Sequence, residues 1–137
     1  TQAPAGRFTR KGTRILPMHS GVFRREQAVS VYYEVYHLAR EASGRTSCRV
    51  AYTVVGRRGK GIGARLARGI GSLLSVRQEG GEVTVTCERS GTDTFEAGYA
   101  DLHLTGVEPG AYLLRVEVTD GISGRRAVKE APFRIAE

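Results

Sequence analysis

The sequence predicts an all-β fold, an antiparallel β-sandwich of about seven strands, from three observations. Apolar residues alternate with polar ones in six stretches between 29 and 135, the period of a strand that buries one face. Turn residues punctuate the chain at intervals of roughly 8–12 residues. Pro109-Gly110 stands just ahead of Tyr112, at the start of one of the alternating stretches. With 137 residues, 40% of them hydrophobic, the chain can bury one sizeable core and is short for two. Its 18 glycines favour short strands and turns over a helix bundle.

The strands are read in order as follows. Over 29–36, Val29, Val31, Tyr33 and Val35 share one parity; over 46–55, Cys48, Val50, Tyr52 and Val54 do the same. With Ala42-Ser43-Gly44-Arg45 between them, the two read as a hairpin. The stretches 82–89 (Val83, Val85 and Cys87 inward), 95–104 (ending on Leu102 and Leu104) and 111–119 (Tyr112, Leu114, Val116 and Val118 inward) repeat the pattern. Asp120-Gly121-Ile122-Ser123-Gly124 then turns the chain into 126–135, where Pro132 suits an edge position or a bulge. A short opening strand at 14–16 completes the set. Residues 1–13 are expected to form a flexible arm, and 14–137 a single sandwich domain.

Pro109 and Gly110 before Tyr112 have the form of a tyrosine corner, in which the phenol hydroxyl bonds backbone a few residues upstream. That narrows the expected architecture to an immunoglobulin-like or fibronectin III-like sandwich. Cys48 and Cys87 both take the inward parity of their strands. They form a disulfide between sheets if those strands face each other, or remain two buried thiols acting as small hydrophobes. Neither a CxxC spacing nor a nearby histidine cluster points to a metal.

The long connection 57–81 differs from the rest. Ile62, Leu66, Ile70, Leu73 and Leu74 fall on one helical face, so a short helix is conceivable, although Gly69 and Gly71 each weaken it by about 1 kcal/mol. Charge is concentrated here too. Residues 1–27 and 57–77 hold 12 of the 21 basic residues and one acid, Glu26, leaving 9 basic and 13 acidic residues elsewhere. Arg57, Arg58, Lys60, Arg65 and Arg68 form a candidate polyanion site. Nucleic acid is not the expected partner, because 57–77 contains no aromatic side chain for base stacking. Gly59-Lys60-Gly61-Ile62-Gly63 has the glycine density of a phosphate loop, but it lacks the Gly-Lys-Ser/Thr ending and no βαβ unit surrounds it.

No reactive constellation is visible. His19, His37 and His103 lie in separate segments, no nucleophile motif occurs, and Glu34 and Asp101 show no sign of forming a carboxylate pair. The chain is therefore expected to be no enzyme and to need no cofactor. Tyr32 and Tyr36 share the outward parity of their strand with Glu34 between them, and such rings can stack on sugars or anchor a protein partner. The spare apolar residues of 57–81 lead instead to the expectation that this face is covered, with Tyr99 a third exposed ring. Direct membrane insertion is not expected, since no apolar run approaches the roughly 20 residues a span needs, and the first residues lack the apolar centre of a signal peptide.

Three stretches together, Arg14-Ile15-Leu16-Pro17, then Val31-Tyr32-Tyr33-Glu34-Val35-Tyr36-His37-Leu38, then Leu102-His103-Leu104 through Pro109-Gly110-Ala111-Tyr112-Leu113-Leu114-Arg115-Val116 to Val118-Thr119-Asp120, resemble the C-terminal region of bacterial GWxTD-domain proteins. The resemblance spans about 14–135, including the Gly-rich insertion; the naming motif itself is absent, since the chain has no Trp. It implies an accessory β-sandwich of a larger bacterial envelope or secreted protein, extracytoplasmic, with no catalytic residues to carry over. The expected role is a non-catalytic module that contacts a protein partner or neighbouring domains. The alternatives are a carbohydrate-binding or other ligand-binding module using Tyr32 and Tyr36, or polyanion binding through 57–77.

Overall fold

The computed structural model describes residues 8–9, 14–15, 22–24, 28–56, 61–69 and 71–136. All regular structure among them is strand: β1 (Phe8–Thr9), β2 (Arg14–Ile15), β3 (Val22–Arg24), β4 (Val29–Tyr36), β5 (Thr46–Val55), β6 (Gly63–Gly69), β7 (Ser72–Glu79), β8 (Glu82–Gly91), β9 (Glu96–Thr105), β10 (Gly110–Asp120) and β11 (Arg126–Ala136). They form two packed sheets, in the orders β1-β2-β4-β9-β6 and β3-β11-β10-β5-β8-β7. Pairing is antiparallel apart from β3, which runs parallel to the end of β11. The sandwich expected from the alternation is thus present, with eleven strands where about seven were expected.

Two expectations are corrected, and the alternatives for Cys48 and Cys87 are decided. The segment 57–81 holds no helix among its described residues; it supplies β6, which pairs with β9, and β7, which pairs with β8. Residues 29–36 and 46–55 are not a hairpin: β4 and β5 lie in opposite sheets. The chain between them arches across one end of the sandwich, where His37 takes φ 66°, Leu38 is buried with its N–H on the Thr94 carbonyl at 3.0 Å, and the Ala39 N–H donates to Asp120 Oδ2 at 2.8 Å. Cys48 and Cys87 sit on neighbouring strands of one sheet, with Cys87 opposite Val50. A bridge between sheets is therefore ruled out, and both are buried free thiols. Within the segment expected to be an arm, Phe8–Thr9 pair with Arg14–Ile15.

The core follows the period-two pattern. Val29, Val31, Tyr33 and Val35 from β4 and Ala100, Leu102 and Leu104 from β9 face Val50, Tyr52, Val54, Val83, Val85, Leu114, Val116 and Val118 of the other sheet, all buried. Polar groups stitch the layers together. The Tyr33 and Tyr52 hydroxyls meet at 2.9 Å in the interior, one from each sheet. Arg89 on β8 reaches β9 of the other sheet, donating to Glu96 Oε1 at 2.8 Å and to the Ala97 carbonyl at 3.2 Å, with only 11% of its side chain exposed.

The tyrosine corner is present. Tyr112 donates its hydroxyl proton to the Glu108 carbonyl at 2.6 Å and accepts from the Glu108 N–H at 2.9 Å, which fixes the entry into β10. Gly110 adopts φ 146° ahead of it, in the region that favours glycine. Pro132 lies in β11 opposite Leu113, at a point where β3, which reaches only Arg134 and beyond, does not flank it, so the missing N–H sits at an edge.

Candidate functional site

Two strands at the centre of the five-stranded sheet, β4 and β9, carry the outward residues from which a site can be built. Their register sets Tyr32 opposite Tyr99, Glu34 opposite Ala97 and Ser30 opposite Asp101. Directly opposed side chains on one face stand about 4.5–5.5 Å apart at Cβ, so Tyr32 and Tyr99 form one aromatic pair. They are 44% and 41% exposed, which corrects the expectation that this face is covered. Four residues along β4, roughly 13 Å away at the rise of a strand, Tyr36 is half-buried and packs against Phe95 with ring centroids 4.9 Å apart.

Glu34 holds the tyrosines of β4 in place. Its two carboxylate oxygens accept the Tyr36 hydroxyl at 2.6 Å and the Tyr32 hydroxyl at 3.2 Å. Desolvation first, and then the bonded Glu34 carboxylate, push the Tyr32 phenol above its ordinary value, so the phenol keeps its proton and donates it to Glu34. Ala97, opposite Glu34, presents only a methyl group. The surface between Tyr99 and Phe95 is low there.

Beyond the Tyr32–Tyr99 pair comes a polar row. Asp101 accepts from Ser30 Oγ at 2.9 Å and from Arg68 Nε and Nη2 at 3.3 and 3.2 Å. Arg68 and Arg65 are both brought to this face by a bulge in β6: the register shifts between Leu66 and Arg68, leaving Arg65 opposite His103 and Arg68 opposite Asp101. In a regular strand the two arginines, three residues apart, would point to opposite faces.

Of the five cations expected to form a polyanion site, Arg65 and Arg68 lie here, exposed, with Arg68 spent on Asp101; Arg57, Arg58 and Lys60 lie outside the described residues. Tyr32 and Tyr36 share one face and one carboxylate, as their spacing suggested. Phe95 and Tyr99 complete the platform, and Tyr99 could be anticipated from its outward parity. The paired Leu73, Leu74 and Val76 of β7 were missed as a surface: they are among the exposed large apolar residues of the described chain.

Titratable groups in the interior serve the fold. Asp120 is almost fully buried; burial works to raise its carboxyl, but backbone N–H groups of Ala39, Ile122 and Ser123 prevail and hold it below its ordinary value. Burial pushes the Cys48 thiol up to about 11, with Arg89 opposing. Among the described residues, no group of three or more His, Cys, Asp or Glu side chains is placed to hold a metal ion.

No protein-family model and no curated protein matches the chain. Solved structures do. AvmM, which catalyses macrocyclization in alchivemycin A biosynthesis, is 11% identical over 96% of this chain and 90% of its own, with TM-score 0.46. A non-cellulosomal cohesin from the archaeon Archaeoglobus fulgidus is 15% identical over 93% of each chain, with TM-score 0.44. A family 123 glycoside hydrolase from Clostridium perfringens is 11% identical with TM-score 0.51, over 89% of this chain but only 23% of its own. At this identity the likeness to the hydrolase is one of fold: a β-sandwich that there occupies less than a quarter of a longer protein.

Proposed function

We propose that the chain is a non-catalytic accessory β-sandwich that joins a protein partner, or a neighbouring domain of its own polypeptide, by accepting an extended segment along the edge of β7 that no other described strand pairs. The observation that carries this reading is the exposure of β7. All eight of its residues are exposed, it ends its sheet, and Leu73, Leu74 and Val76 are each between 42 and 51% exposed. Edge strands are ordinarily blunted by charge, proline, bulges or brevity; β7 carries a bulge, Arg77 and Glu79, yet still leaves Leu73, Leu74 and Val76 exposed.

The register says where those side chains stand. Leu73 is opposite Cys87 and Val76 opposite Val85, both buried, so Leu73 and Val76 continue the inward face of their sheet beyond the cover of the other. A strand added outside β7 would use its unpaired backbone groups and lay alternate side chains over Leu73 and Val76. Completing the burial of each supplies about 1 kcal/mol. Arg65 on one outer face and Arg77 on the other flank this side, which favours a segment with acidic residues among its apolar ones. The resemblance over 14–135 supports placing such a module in a larger bacterial envelope or secreted protein.

The test is site-specific photo-crosslinking in the full-length protein in its native envelope, with the crosslinker at Val76 or, as control, at Lys129 on β11. A discrete adduct from Val76 alone, lost on Leu73→Asp, is expected. Equal capture from both positions, or none from Val76, would defeat the reading.

A further inference from the structure

We infer that the outer face of β4 and β9 is a separate binding site for a neutral oligosaccharide, with the Tyr32–Tyr99 pair as its stacking platform. Independently of β7, this face offers what a sugar chain needs in alternation. Flat ring faces take the C–H faces of a sugar, and polar groups beside them take its hydroxyls. Along the sheet the order is Ser30 with Asp101 and Arg68, then Tyr32 with Tyr99, then Glu34 with Ala97, then Tyr36 with Phe95. The platform extends roughly 13 Å along the strands, longer than one sugar ring.

Charge selects the class of glycan. The tyrosine pair is flanked by two carboxylates, Glu34 on one side and Asp101 on the other, and Arg68, the cation beside Asp101, is already bonded to it. A sulfate or uronate over the rings would meet both carboxylates, whereas the hydroxyls of a neutral sugar can donate to their free lone pairs and accept from the Arg68 guanidinium. The same interleaving disfavours a protein partner on this face, because the centre of a protein interface is depleted of charged side chains. The rings are also set before binding: Tyr32 and Tyr36 are tied to Glu34 at 3.2 and 2.6 Å, so little ordering is left to oppose association.

The experiment is an NMR titration of the chain with cello-, xylo-, manno- and N-acetylated chito-oligosaccharides, with heparin as the sulfated comparison. At least one neutral series should shift resonances of Tyr32, Tyr99 and Ala97. Tyr32→Ala and Tyr99→Ala should each weaken it by about tenfold or more, Tyr99→Phe should bind nearly as well, and Val76→Lys should bind unchanged. Shift mapping on the unsubstituted chain needs no variant, so a variant that fails to fold does not leave the inference unexamined. Binding by heparin alone, no shift with any neutral chain, or shifts located away from β4 and β9 would overturn it, and none of these results bears on whether β7 accepts a strand.

Discussion

Replacing Tyr33 by Phe removes one hydroxyl and no packing volume of consequence, and the structure specifies what is left behind. The Tyr33 and Tyr52 side chains are each 1% exposed, and their hydroxyls are 2.9 Å apart. Tyr33 is raised chiefly by burial, with the Tyr52 hydroxyl and the Arg89 guanidinium working against that rise. Tyr52, raised further by burial and by Tyr33, has no hydrogen-bond partner other than Tyr33 among the described residues. Tyr33→Phe and Tyr52→Phe therefore each strand the partner's buried hydroxyl, at a cost of about 1–3 kcal/mol. For a domain of this size each kcal/mol moves the midpoint by about 3–6 °C. In the double variant no hydroxyl is left stranded, so its loss should fall short of the sum of the singles by about 1 kcal/mol or more. Thermal and urea unfolding of the four proteins, followed by far-UV circular dichroism, completes the cycle. Strict additivity would refute the coupling across the sheets.

Tyr112→Phe should lower stability by about 1 kcal/mol in urea unfolding, because the two hydrogen bonds between its hydroxyl and the Glu108 backbone are lost, while Tyr112→Leu should cost more by also losing the ring stacked on Phe133. Gly98→Ala should destabilise by about 1–3 kcal/mol, since a methyl group there would run into the Tyr33 ring; a neutral effect in the same assay would show that the ring moves freely. The Asp120 carboxyl is held below its ordinary 3.8, so the stability it contributes is complete above that value and lost as pH falls through its folded value; Asp120→Asn should flatten that acid limb. The Cys48 thiol moves the other way, from 9.0 to about 11, so its contribution is complete below pH 9 and lost as pH rises towards 11 and beyond. At neutral pH iodoacetamide should modify Cys48 only after unfolding, as mass spectrometry would read.

Six long strands were legible because each buries one face. Val29 to Val35, Cys48 to Val54, Val83 to Cys87 and Leu114 to Val118 keep their phase throughout. Parity says which face a strand buries but not which sheet it joins, so an arch between sheets and a hairpin look alike: hence the misreading of β4 and β5. The decisive features there, φ 66° at His37 and the bond from Ala39 to Asp120, involve a partner 81 residues away. The short β1, β2 and β3, two or three residues each, are too brief to carry a period at all.

The failure at 57–81 and the composition of the platform have one physical origin. β6 and β7 are each bulged, between Leu66 and Arg68 and between Leu73 and Ser75, and each extra residue resets the phase of a strand. Apolar residues then recur at spacings of three and four, which in sequence is the signature of a helix. Gly80-Gly81, the two-residue turn of the β7–β8 hairpin with Gly80 at φ 59°, was the local signal that favoured strands. The bulge that hid β6 also turns Arg65 and Arg68 to the same side, beside His103 and Asp101, and so supplies the cation that neutralises Asp101 next to the Tyr32–Tyr99 pair. The bulge in β7 accommodates Leu74 while keeping Leu73 and Val76 in line with the buried Cys87 and Val85. In both edge strands the irregularity that breaks the pattern is what re-aims the side chains from which the two proposed surfaces are made.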